Sequence, residues 1–411
     1  MIMQNKMTNL PQGWEVKTLS EISEIVTGST PSKSNLDFYG KDYPFFKPSD
    51  FEQGYFLENA GDNLSKLGFD KARQLPSKTI LVVCIGSLGK VALTRVIGSC
   101  NQQINAIIPH KNIIAEYIYY YCISSKFQSI LFSKAPQTTL AILNKTEFSK
   151  LEIIYPKDIK EQERIVGILD ESFAKIDESI KILEQDLLNL DELMQSALQK
   201  AFNPLKDNAK ENYKLPQAWE WKSLGEIGEI ITGTTPSKNN PNFYGNEYPL
   251  FKPSDLNGDM IIKYASDNLS KLGFDNARNL PKDTILVVCI GASIGKVGLS
   301  GVNGSCNQQI NAIIPNSAFA SKYLFFVCLS NYFQTILKKN ASQTTLPIIN
   351  KTEFSKLQIP LPPLKEQEQI ASHLDELSSH VKNLKQNYQA QIKDLQELKK
   401  SLLDKAFKGN L

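Results

Sequence analysis

The chain has 411 residues, 41% of them hydrophobic and 22% charged, with 46 Lys and Arg against 43 Asp and Glu for a net charge of +3. That length is too great for one ordinary domain core and calls for two to four modules of a globular protein. A charge so close to balance excludes a partner captured by bulk charge, so any nucleic-acid contact must rest on where individual Lys and Arg stand.

Residues 1–10 are polar and lack the apolar stretch of a secretory signal. The apolar runs at 79–85 and 113–123 fall far short of the roughly 18–20 residues of a membrane span. They predict a buried strand and a buried helix in a cytoplasmic protein without membrane contact. Up to Pro156, strand-like runs alternate with Gly, Pro, Asn and Ser, and a helical pattern covers 115–132. The texture changes at residue 159. From there to 202 the only glycine is Gly167 and proline is absent. Apolar positions step three and four apart through Val166, Leu169, Phe173, Ile176, Ile180, Leu183, Leu187, Leu190, Met194, Ala197 and Ala201. That is the seam of a coiled coil. At about 1.5 Å per residue the helix would be roughly 60 Å long.

The chain then starts again. Leu10-Pro11-Gln12-Gly13-Trp14 returns as Leu215-Pro216-Gln217-Ala218-Trp219, and residues 62–70 and 79–86 return unchanged at 267–275 and 284–291. After an insertion near Ser293, residues 98–109 repeat at 304–315 and 144–151 at 350–357. A period this long is a domain duplication, not a solenoid. The second seam runs through Leu374, Leu377, Val381, Leu384, Tyr388, Leu395, Leu398 and Leu402, with Gln391 as a polar interruption. Alone in water each helix would expose its seam, so pairing with the other is the economical solution. The short connection at 203–214 favours an antiparallel pair with a globular domain at each end and an internal pseudo-two-fold. The expected order is a globular domain at 1–158, a helix at 159–205, a second globular domain at 206–363 and a second helix at 364–411.

No catalytic constellation is visible. His110, His373 and His380 are the three histidines; the last two share a helix face, where a solvated role outweighs metal ligation. The six cysteines fall three to each copy with no CxxC spacing, which fits buried thiols better than disulfides or zinc. Gly86-Ser87-Leu88-Gly89-Lys90 and its counterpart ending in Lys296 are too short for a phosphate loop and lack its Ser or Thr. They predict a tight turn, with contact to a DNA phosphate as a second reading.

Leu-Pro-x-x-Trp, Thr-Gly-x-Thr-Pro-Ser-Lys, Ile-Leu-Val-Val-Cys-Ile-Gly, Asn-Gln-Gln-Ile-Asn-Ala and a helix opening on Lys-Glu-Gln-Glu each occur twice. Together they resemble the specificity subunits of Type I restriction–modification systems over nearly the whole chain. The resemblance implies two mixed α/β target-recognition domains spaced by two long helices, and a non-catalytic chain. It implies double-stranded DNA as ligand, read at a bipartite site that the near-identity of the copies would make near-palindromic. It also implies two modification subunits docked on the helices and restriction subunits joining them. S-adenosylmethionine, ATP and magnesium would sit on those partners and none on this chain. Two other readings stay open at this point: a tandem scaffold for another polymer, and the specificity chain of a system with a fused methyltransferase–nuclease.

Base readout needs paired donors and acceptors, and phosphate contacts need Lys, Arg, Ser, Thr or backbone amides. The polar loops that supply them yield Thr27, Ser29, Thr30, Ser32, Lys33, Lys47, Lys66, Arg73, Lys90, Gln102 and Gln103 as candidates. The second copy yields Thr232, Thr234, Thr235, Ser237, Lys238, Lys252, Lys271, Arg278, Lys296, Gln308 and Gln309. A further candidate loop covers residues 137–139. Each loop has a plainer reading as a turn or cap.

Overall fold

A computed structural model describes residues 10–135, 141–202, 215–258, 260–342 and 346–411. The connection at 203–214, the loop at 137–139 and its counterpart at 343–345 lie outside the described residues. The chain divides into two compact units. One combines the residues up to Leu183 with Ala390–Leu411, and the other is Glu184–Gln389.

The globular part of the first unit is built on a five-stranded mixed sheet ordered Ser23–Thr27, Ile104–Pro109, Ile80–Val83, Val91–Thr94, Phe56–Leu57. Its central strand, Ile-Leu-Val-Val, is buried on both faces, which explains a continuous apolar run in place of alternation. Leu81 and Val83 face one core cluster with Phe46 and Cys100, while Ile80 and Val82 face another with the helix Ala115–Ile123. A three-stranded sheet, Asp62–Leu64, Tyr39–Phe46, Ser99–Cys100, adjoins it, and Trp14–Thr18 pairs with Glu152–Pro156. The helical pattern at 115–132 resolves into two helices, Ala115–Ile123 and Ser125–Lys134. They break at Ser124, whose hydroxyl accepts from the Phe127 amide to cap the second. Unit 2 repeats this topology strand for strand from Glu220–Ser223 to Gln358–Leu361.

Two long helices follow, Ile159–Phe202 and Leu364–Ala406. Within unit 1 they run antiparallel. Lys399 pairs with Asp177 and lies 4.8 Å over the Phe173 ring, whereas Leu411, further on, accepts from Arg164 at 3.1 Å. Within unit 2, Lys385 pairs with Asp191, and Leu374 shares a core cluster with Leu198 and Phe202.

The seam expectation needs correction at particular positions. Leu384 and Leu398 are 40% and 46% exposed, while Lys385, Ile392 and Lys399 occupy half-buried positions beside them. At the end of the first helix Leu198 and Phe202 are the buried pair, with Ala197 and Ala201 only half-buried. That turn packs against the unit 2 core, and a globular core takes a wider apolar face than a coiled-coil partner does. Among the described residues, no helix is long and apolar enough to cross a membrane.

Gln162 and Gln367, in the Lys-Glu-Gln-Glu openings, join each long helix to its domain. Gln162 is fully buried; it accepts from the Ile114 amide at 2.9 Å and donates to the Pro156 and Asn112 carbonyls at 2.9 and 3.3 Å. Gln367 repeats this with Ala320 and Pro362. In the second copy Trp219 of the Leu-Pro-x-x-Trp motif donates to Glu366 at 3.1 Å, tying the two motifs together.

Candidate nucleic-acid interface

Strand register brings the candidate loops to one end of the five-stranded sheet. Thr27 faces Asn105, Val83 faces Ile104 and Val82 faces Val91, so residues 28–33, 84–90 and 101–103 all leave the sheet at that end. The three-stranded sheet reaches the same place, because Phe46 pairs with Cys100 and Lys47 follows it.

Side chains lock the loops together. Thr27 donates to Asn105 at 2.7 Å, and Thr30 to the amide oxygen of Gln102 at 2.5 Å. The Arg73 guanidinium donates to the Thr27 carbonyl at 2.5 Å, and its backbone amide to the Ser29 hydroxyl at 3.2 Å. Gly28 sits between them because a Cβ there would overlap the Asn101 and Cys100 carbonyl oxygens. Tyr39 donates to the Pro31 carbonyl at 2.8 Å and so holds the stretch that carries Ser32 and Lys33. Unit 2 has the same bonds: Thr232 to Asn311 at 2.6 Å, Thr235 to Gln308 at 2.8 Å, Arg278 to the Thr232 carbonyl at 2.6 Å and to Thr234 at 3.2 Å.

The Asn-Gln-Gln motif divides into scaffold and surface. Asn101 is buried and donates to Gln103, and Gln103 donates in turn to the Ile85 carbonyl. Gln309 makes the equivalent bonds, so both glutamines are turned inward. Gln102 and Gln308 point out. Lys33, Arg73, Lys238 and Arg278 are likewise exposed.

The lysines differ in setting. Lys47 and Lys252 are half-buried and ion-paired with Asp62 and Asp267. The hydrogen bond from Lys252 holds the Asp267 carboxyl below its usual range. Lys-Pro-Ser-Asp is indeed a turn, closed by the Lys47 amide donating to Asp50 at 2.7 Å. Lys66 opens a short helix and pairs with Asp70, with its ammonium 5.9 Å from the stacked Tyr43 and Phe69 rings; Lys271 repeats this arrangement. Lys90 pairs with Glu52, whereas Lys296 donates to the Pro253 carbonyl at 3.3 Å.

The Gly86–Lys90 segment is a hairpin turn. Val83 donates to Lys90 and Gly89 to Val83, both at 2.9 Å, and the Gln128 side chain closes it from below through the Gly89 and Cys122 carbonyls. A phosphate loop would lead into a helix; this turn leads into the strand Val91–Thr94.

The six thiols are free and buried. Burial pushes Cys84, Cys100, Cys289 and Cys306 up to about 12, which keeps them protonated and unreactive near neutrality. His110, His373 and His380 are exposed, and the described residues contain no group of three or more His, Cys, Asp or Glu able to hold a metal ion. What each cluster does offer outward is a guanidinium, an ammonium, hydroxyls and an amide on a rigid base. These are groups that contact phosphates and base edges.

The sequence matches the family described as Type I restriction modification DNA specificity domain over residues 11–187 and again over 216–394. It is 38% identical over 186 residues to the Type I restriction enzyme HindI specificity subunit of Haemophilus influenzae, a match covering 44% of this chain and 40% of that one. A longer match, 24% identical over 98% of this chain and 94% of the other, is to the MjaIX specificity subunit of Methanocaldococcus jannaschii. The fold resembles a chain solved in work on complex assembly and conformational transition of the type I R-M system, with TM-score 0.79, 21% identity and coverage of 98% and 99%. It also resembles the crystal structure of the HsdS subunit from Thermoanaerobacter tengcongensis, with TM-score 0.61, 21% identity and full coverage of both chains.

Proposed function

This chain belongs to the Type I restriction modification DNA specificity family, whose domain it carries twice, and from that premise we propose that each unit reads one half of a split DNA site. The chain is the DNA sequence specificity subunit of a Type I restriction–modification system. One observation carries the reading of each half: exposed Arg73, Gln102 and Lys33 in one unit, and Arg278, Gln308 and Lys238 in the other, stand at the same sheet end on the same hydrogen-bonded base. Backbone contacts from such groups fix position on the duplex, and side chains reaching base edges supply sequence.

Chemistry then belongs to the partners. In this reading two modification subunits dock on the long helices and bring S-adenosylmethionine for adenine methylation, and restriction subunits bring ATP and magnesium. Six protonated, buried thiols suit a cytoplasmic setting.

The test is binding of the full chain, with and without its modification subunit, to duplex DNA over a series of salt concentrations. Affinity should fall linearly on a log–log scale, as phosphate neutralisation requires, and Arg73→Ala should weaken it. A chain that binds no duplex in either form, or binds with no salt dependence, is not a DNA reader.

A further inference from the structure

We infer that the two units read the same bases, so that the target carries one half-site twice. The inference rests on the DNA reading proposed above and goes beyond it, because a specificity subunit could as readily carry two different readers.

Base identity is read as a pattern of donors and acceptors held at set positions. Here the pattern is duplicated in both residue type and placement. Arg73 and Arg278 are both exposed, and each is tethered through its guanidinium to the preceding Thr carbonyl, at 2.5 and 2.6 Å, and through its amide to a hydroxyl at 3.2 Å. The substitution of Ser29 by Thr234 keeps that hydroxyl. Gln102 and Gln308 are exposed and accept from Thr30 and Thr235. Lys66 and Lys271 make the same pair with an aspartate, at 2.7 and 2.6 Å.

The divergent segments touch the candidate groups where Glu52 pairs with Lys90. Residues 51–61 and 110–135 differ most from 256–266 and 316–341, and in unit 1 they meet each other: Tyr55 stacks on Tyr119 at 4.1 Å and adjoins Tyr120 at 5.4 Å. Tyr120 donates to Asp170 of the first long helix at 2.5 Å. In unit 2 the same positions hold Met260, Phe325 and Phe326, which line a cleft against the long helices with Met194 and Leu198. The strands Phe56–Leu57 and Ile261–Ile262 form one edge of their sheets, and Ser23–Thr27 and Gly228–Thr232 form the other. The copies therefore differ where the domain packs on its helices and at the Lys90 turn. That turn is one residue longer in unit 2 and leaves Lys296 on the Pro253 carbonyl. The copies agree at the Arg, Gln and Thr groups of the other candidate loops.

The experiment is selection of bound sequences from a random duplex library by the full chain purified with its modification subunit, repeated with Arg73→Ala and with Arg278→Ala. The enriched site should contain two halves with the same bases, in whichever orientation. Each variant should lose roughly 5- to 150-fold discrimination at the same base position, one in each half. Unaltered thermal melting shows that the variants fold. Two unrelated halves would overturn the inference while leaving a sequence-specific reader. Enrichment of no sequence, with or without the modification subunit, would overturn both this inference and the function proposed above.

Discussion

Gln162 is fully buried and satisfies three backbone groups at the junction of domain and helix. Replacing it with Ala would leave the Ile114 amide and the Pro156 carbonyl without their partner. The expected loss is about 2 kcal/mol, the usual penalty for orphaned buried groups, read by urea unfolding; an unchanged midpoint would show that these groups find other partners. The thiols make a second prediction. Burial pushes Cys84, Cys100, Cys289 and Cys306 up to about 12 in the folded chain, from an ordinary 9.0. Above pH 9 the unfolded chain therefore binds fewer protons than the folded one, and stability falls as pH rises from 9 toward 12. It is fully present below pH 9. Urea midpoints at pH 8 and pH 10.5 check this, and equal midpoints would refute it. Residue types at this scale were legible in the sequence, but their directions were not. Asn-Gln-Gln reads as three equivalent amides, and only the strand register decides that the first and third turn inward while Gln102 turns out. The anchoring glutamine looked like an ordinary helix-start residue, because its partners lie 48 and 47 positions away in the two copies.

The long helices and the central strand were the most legible elements, since a seam sustained over five heptads and a run such as Ile-Leu-Val-Val each have few alternative explanations. Legibility faded where one partner replaced another. Period alone put Leu384 and Leu398 in the seam and left out Leu198 and Phe202, because it carries no sign that a domain core takes over from the helix pair. The end of the second helix shows the same exchange. Phe407 packs edge-on against Tyr117 and Tyr121, with centroids 5.5 and 5.0 Å away, inside the unit 1 core. Phe407→Ala should cost about 3–5 kcal/mol, measured as a lower urea midpoint with loss of hydrogen-exchange protection in unit 1. A loss below 1 kcal/mol would mean that this end of the helix is not part of that core.

For the whole molecule, the duplication was plain from sequence, and the structure turns it into two copies of one loop cluster on one topology. What repetition could not tell was whether the shared residues hold the fold or face the ligand. Gly28 and Asn101 belong to the first group, Arg73 and Gln102 to the second, and only burial separates them. The central claim is that each unit reads one half of a split site. Nuclease protection of a bound duplex by the full complex tests it most directly, using the unaltered chain, Arg73→Ala and Arg278→Ala at saturating protein. The unaltered chain should protect two patches, Arg73→Ala should lose or weaken one of them, and Arg278→Ala the other. Loss of the same patch by both variants, or full protection of both patches by both variants, would contradict the account.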